Sequence, residues 1–194
     1  MANRSVWQLK RDLIPTVTVQ PLDRYWEWPT GRKRFPKPGV PQSTTNDAEE
    51  IILGGLAEIP YTSRLYEEIV TIIDQYKSGL SQKECFDRIH QKYDEHTSHG
   101  WCHTIPNAMI VVGSLLYGKG DFGKSICMAV ETGFDTDCNG ATVGSILGMA
   151  NGKETIAEAW SAPIHNKLYT SIFGVGTVNI SDCVEKTLSH IENA

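Results

Sequence analysis

An all-α helical bundle is the fold this sequence predicts, and three observations carry that prediction. From residue 46 onward apolar residues recur at helical spacing, capping residues stand where the periodic segments begin, and no alternation of strand and helix patterns competes. The 194 residues, 40% hydrophobic and 21% charged, suffice for one proper core.

Residues 1–45 have a different texture. They hold six of the nine prolines and three of the five tryptophans, Trp7, Trp26 and Trp28. Proline at this density breaks helices and central strands, so an irregular arm is expected, with a short strand at Thr16–Gln20 where TVTVQ alternates. Residues 1–37 carry eight Lys/Arg against three Asp/Glu, whereas the remainder carries ten against twenty. Such a basic arm, with Arg32, Lys33, Arg34 and Lys37, can meet phosphate, but a short charge run is more often a solvated extension, and nucleic acid is not the expected partner.

Residues 46–194 form the expected helical domain. Asn46 or Asp47 starts a first helix that Pro60 ends. Leu65, Ile69, Ile72, Ile73 and Tyr76 then line one helical face, with Gly79 as the stop. Ser81-Gln82-Lys83-Glu84 fits a capping box that opens a helix burying Cys85, Ile89 and Tyr93. Pro106 suits the first turn of a helix reaching Leu116 before Gly118 and Gly120. Asp121 caps a helix to about Glu131, and Ser181 caps a last one with Val184, Leu188 and Ile191 turned inward. Gly140, Gly144 and Gly148, spaced by four, make a smooth ridge that calls for close packing on a neighbour.

No apolar run approaches the ~18 residues of a membrane span, and charge interrupts the N-terminus too often for a signal peptide. Five scattered cysteines without a CxxC suit a reducing compartment, so a cytoplasmic protein is expected.

Chemistry concentrates between Glu131 and Gly148. Asp135 and Asp137 stand at i and i+2, which on a helix points them to different sides. A non-helical turn after Gly133, entering a helix near Asn139, would let both meet one ion. Carboxylate oxygens are hard ligands, so Mg²⁺ is the natural guest, and two carboxylates are too few for a full cage. The alternative is that both residues only cap a helix and favour its positive end. A glycosyltransferase with a DxD motif is the weaker enzyme rival, since that motif is expected after a strand. His96 and His99 lie three apart and read as loop residues.

The run Gly133-Phe-Asp-Thr-Asp-Cys-Asn-Gly-Ala-Thr-Val-Gly-Ser-Ile-Leu-Gly148 resembles the signature of the ADP-ribosylglycohydrolase family, in its bacterial branch with Cys-Asn after the second Asp. Ile59–Tyr66, Trp101–Ala108, Gly120–Cys127 and Leu168–Gly174 leading into Ile180–Asp182 agree in order, so the resemblance spans roughly residues 45–192, as the C-terminal half of the family domain.

That resemblance implies an all-α, Mg²⁺-assisted hydrolase of the bond between ADP-ribose and an acceptor, often an arginine or serine side chain. The family holds a pair of Mg²⁺ ions between two motifs. Asp135 and Asp137 match its C-terminal metal ligands, and its usual threonine ligand falls on Cys138, whose neutral thiol is a poor partner for Mg²⁺. His103 and Asn107 lie in a segment implied to approach the site and are the candidate substrate-binding residues. A histidine near a helix start is also often structural, and Asn107 can serve local backbone. The family's N-terminal Asp-Asp cluster has no counterpart, because the sequence contains no Asp-Asp pair. One half of a two-ion site is therefore expected here, in a fragment, a diverged relative or a site completed by a second chain. The alternative function is a non-catalytic module binding ADP-ribose, a nucleotide or a protein partner.

Overall fold

The computed structural model describes residues 47–97 and 100–192, with side chains described to residue 190. The arm, its Thr16–Gln20 strand, its tryptophans and His99 lie outside the described residues. The rest is all-α with one small hairpin, and it falls into two compact units, residues up to 156 and residues from 157 on. The sequence placed both in one helical domain.

The first unit holds α1 (Ala48–Leu56), α2 (Arg64–Lys77), α3 (Gln82–Lys92), α4 (Thr104–Gly118), α5 (Phe122–Glu131) and α6 (Thr136–Asn151). Local chemistry sets most ends. Asp47 caps α1, Ser63 caps α2 and Asp121 caps α5, each side chain accepting backbone N–H bonds of the first turn. The residue before a proline resists helical geometry, and α1 stops at Leu56, ahead of Pro60. At the end of α2, Leu80 N–H reaches Gln75 O at 3.1 Å and Gly79 N–H reaches Tyr76 O at 3.0 Å. This paired closure needs the left-handed backbone that Gly79 adopts, at φ 81°.

Ser81 and Glu84 form the expected capping box. The Ser81 hydroxyl, then its backbone N–H, holds the Glu84 carboxyl below the usual carboxylate range. A lowered native pKa contributes stability above the unfolded value and loses it as pH falls through the native one. Ser81→Ala is therefore expected to lower stability at neutral pH, as loss of an N-cap does. Urea melts of the two proteins should converge as the solution is acidified.

Helix α4 is apolar almost all round and packs on each of the other helices of its unit. Ile110 and Leu115 from α4 join Ile72 and Ile73 from α2, Ile89 from α3 and Leu147 from α6 in the fully buried centre. The glycine ridge of α6 packs as its spacing demands. A Cβ on Gly140 would stand 3.0 Å from Val130 Cγ2, and one on Gly144 3.2 Å from Ile126 Cδ1, so the ridge seats α6 against α5.

The second unit holds a four-residue helix, α7 (Glu158–Ser161), then β1 (Lys167–Tyr169), β2 (Thr177–Asn179) and α8 (Ile180–Glu192). The strands pair antiparallel, Leu168 opposite Val178. Three-residue strands are too short to show alternation, which is why the sequence pattern did not disclose them. Ser181 does not cap α8 as expected. It lies inside the helix, where its N–H donates to Asn166 Oδ1 at 3.0 Å. Val184 is exposed and Leu188 half-buried, so the inward face expected of this helix is not formed at Val184. Among the described residues no helix is long and apolar enough to cross a membrane.

Candidate functional site

The two acidic residues meet where the α5–α6 turn enters α6. Gly133 and Phe134 both take left-handed backbone, at φ 88° and 59°, which reverses the chain in two residues. A side chain at 133 would be strained by that φ and would also press on Glu95, whose oxygens lie 3.0 and 3.1 Å from an ideal Cβ. Phe134 tolerates the conformation because its surroundings fix it. Its N–H donates to Glu95 Oε2 at 2.5 Å, and its ring packs against His90 at 4.9 Å. His90 Nε2 in turn contacts Thr132 O at 2.8 Å.

Asp135 follows in a non-helical conformation, φ −84° and ψ 75°, at the N-cap of α6. Its side chain makes no capping hydrogen bond. One of its oxygens, Oδ1, is buried without a hydrogen-bond partner. Asp137, in the first turn, behaves differently. The Asp135 carboxyl beside it, then the N–H groups of Asp137 and Cys138, hold its carboxyl below the usual range. The capping alternative thus holds for Asp137 alone. Asp137 does complement the positive end of α6, whereas Asp135 leaves that end to others and keeps an oxygen spare.

Cys138 completes a cluster. One ligand atom each from Asp135, Asp137 and Cys138 lie within 4.8 Å of one another. The Asp135 carboxyl beside the thiol, followed by the negative charges of Asp135 and Asp137, pushes the Cys138 pKa up. The thiol thus stays protonated while only carboxylates face it, and in that form it suits Mg²⁺ poorly. The carboxylates do fit a divalent cation, because a buried unpartnered carboxylate oxygen is costly to leave unmet.

Asn107, near the start of α4, is the hub that holds this turn. Its Oδ1 accepts from Asp135 N at 3.1 Å and from Asn139 Nδ2 at 2.7 Å. Its Nδ2 donates to Trp101 O and to His103 O, both at 2.9 Å. All four bonds an amide side chain can make are therefore made within the protein. His103 is the N-cap of α4, its Nδ1 accepting from Ile105 N at 3.3 Å, with its ring 5.9 Å from that of Tyr93. The structure brings Asn107 to the acidic turn and gives His103 a cap.

An open groove of about 560 Å³ reaches the site. Ile52, Ile69 and Val111 are among its apolar walls, and Asn107, Asp135 and Cys138 are among the residues at its polar part. That volume falls within the range of small-molecule clefts. Asp137 and His103 are not among its lining residues.

Sequence reasoning missed Glu95, His90 and Asn139. The first two brace the turn from 39 and 42 residues away, and no local pattern announces such a contact. Asn139 stands inside the motif, 3% exposed, and a buried amide of this kind could have been expected to brace a neighbouring loop.

A family model described as ADP-ribosylglycohydrolase matches residues 38–188. No curated protein and no solved structure matches the chain.

Proposed function

We propose a function on the premise that this chain belongs to the ADP-ribosylglycohydrolase family, which makes it a hydrolase at the level of that family. The reaction we assign is cleavage of the bond between ADP-ribose and an acceptor, assisted by Mg²⁺ held in part by Asp135 and Asp137. One observation carries this reading: Asp135 places a buried oxygen without a partner beside a second carboxylate, in a turn that Asn107 and Glu95 hold in place.

When bound, the cation supplies Lewis-acid polarisation and orients water and ribose hydroxyls. The protein's own groups do the remaining work. Asp135, which lines the groove, and Asp137 beside it hold the charge. Asn107 fixes the Asp135 backbone, so its part in substrate binding is to shape the surface the ribose meets. His103, beside Cys102 and Thr104 of the groove rim, is assigned a hydrogen bond to ribose or phosphate. The apolar walls accept the flat face of a base and keep water from it. Two carboxylates leave most of a cation's coordination unfilled. The other ligands come from groups beyond this motif, in this chain or a second one.

A second reading, a module that binds ADP-ribose without cleaving it, is favoured by the missing Asp-Asp pair. Titration calorimetry with Mg²⁺ separates the two when joined to an assay of ADP-ribose release from arginine- and serine-modified proteins. The hydrolase reading expects measurable Mg²⁺ binding that Asp135→Ala weakens by at least about 10-fold. It is abandoned if binding is undetectable or indifferent to the substitution. Release of ADP-ribose by the purified chain removes the module reading.

A further inference from the structure

We infer that His103 is a pH-sensitive cap: protonation of its imidazole uncaps α4 and loosens the Asp135 turn, so the site is firm near neutral pH and slack in acid. Its bearing on activity rests on the reading of Asp135 as a cation ligand.

The cap works by accepting a proton, not by donating one. His103 Nδ1 takes the Ile105 N–H at 3.3 Å, which requires a neutral ring with its hydrogen on Nε2. An imidazolium has two donors and no acceptor, so the same contact would set one N–H against another. Its positive charge would also stand at the positive end of α4, where the helix dipole disfavours it. Ile105 is buried, at 7% exposure, so no water readily replaces the lost acceptor. The protonated ring must turn away, and the first turn of α4 loses its cap.

The carbonyl of the same residue carries the effect to the site. It accepts Asn107 N at 3.4 Å and Asn107 Nδ2 at 2.9 Å. Asn107 Oδ1 in turn accepts Asp135 N at 3.1 Å. His103 thus holds the cap with its side chain and Asn107 with its backbone. A first turn that opens takes the anchor of Asp135 with it. That turn, capped or open, is the two-state element.

The surroundings leave this proton to the imidazole. Tyr93 of α3 faces it, ring to ring at 5.9 Å. Burial, then the bond to Glu68, pushes the Tyr93 hydroxyl up to about 12, so the phenol stays neutral in the acid range. Behind Tyr93, Glu68 of α2 accepts that hydroxyl at 2.9 Å and pairs with Lys92 of α3, with the positive Arg64 of α2 nearby. Cys102 precedes His103 in the chain, and Asp135 is reached through Asn107. Histidine is the side chain whose charge ordinarily changes between about pH 5 and 8.

Amide hydrogen exchange of the full chain, followed by NMR as the pH is lowered from neutral, tests this beside His103→Asn. Asparagine is a preferred N-cap whose oxygen accepts at every pH, so the variant keeps the cap and loses the switch. Exchange is expressed as protection factors, which remove its intrinsic pH dependence, and the His103 ring signals report protonation in the same samples. Protection of the Ile105 and Asp135 N–H groups is expected to fall by about 3–30-fold in step with ring protonation, as loss of a cap implies. The Leu115 amide, buried deep in α4, should keep its protection throughout. In His103→Asn the Ile105 and Asp135 amides should hold over the same range. Asp135 protection that ignores ring protonation overturns the inference. So does an equal fall in His103→Asn, or a ring that stays neutral until the chain unfolds. No arm of the experiment contains a cation, so this inference and the Mg²⁺ reading fail separately.

Discussion

In Asn107→Leu, divalent-cation affinity at Asp135 is expected to fall by about 10–100-fold although the substituted residue touches no metal. The reason lies in the four hydrogen bonds of one amide. Asn107 Oδ1 holds the backbone N–H of Asp135 and the side chain of Asn139, and its Nδ2 ties them to the carbonyls of Trp101 and His103. Leucine has similar volume and none of these bonds, so the N–H that sets the Asp135 backbone is released and the carboxylate loses its aim. Some stability goes too, about 1–3 kcal/mol for partly buried polar groups left unpaired. The two effects can be separated. A merely structural Asn107 would lower the melting temperature and leave cation affinity within 2-fold, roughly the scatter of such measurements. Calorimetry with Mg²⁺ or Mn²⁺ below the melting transition reads the difference.

Gly118→Ala should be the most damaging single methyl group in the first unit. An ideal Cβ there would lie 1.8 Å from Ser125 Oγ, 2.8 Å from its Cβ and 3.1 Å from its Cα. The last of these is backbone, so turning a side chain aside does not relieve the clash, and α4 must separate from α5. Overpacking of this kind costs about 3 kcal/mol or more. Ser125→Gly in the same protein should restore part of the loss, as a shared contact requires. The contrast is Gly148→Ala on α6, where the nearest atom, Ile156 Cδ1, is 3.7 Å away. There the gain in helix propensity should leave the protein unchanged or up to about 1 kcal/mol more stable. Urea denaturation of the three variants tests the set.

The legible part of this molecule is the part written in local chemistry. Ser81 with Glu84, Asp121, Asp47 and Gly79 each announce a helix end within three or four residues, and each does what it announces. The ridge of Gly140 and Gly144 likewise reports close packing, because only a missing side chain at spacing four lets two helices approach so nearly. His103 shows where this legibility stops. Histidine is outside the preferred N-cap set, so α4 begins at Thr104, two residues before the proline that signalled it. At the site, the two aspartates were legible as a pair, and the need for a non-helical turn followed from their spacing. What holds that turn was not legible. Glu95 and His90 reach it across 39 and 42 residues, and Asn107 across 28. Such contacts depend on where α3 and α4 pack, which no short motif encodes.

Everything functional depends on the Asp135 and Asp137 carboxyl groups sharing a cation. The most direct measurement is an anomalous difference map from crystals of the full chain grown with Mn²⁺, an oxygen-seeking stand-in for Mg²⁺. The expected result is a peak within about 2.3 Å of an oxygen from each residue, with Asp135 Oδ1 no longer unpartnered. No peak at that turn, with Asp135 Oδ1 bonded to an amide or hydroxyl of the protein, would contradict it.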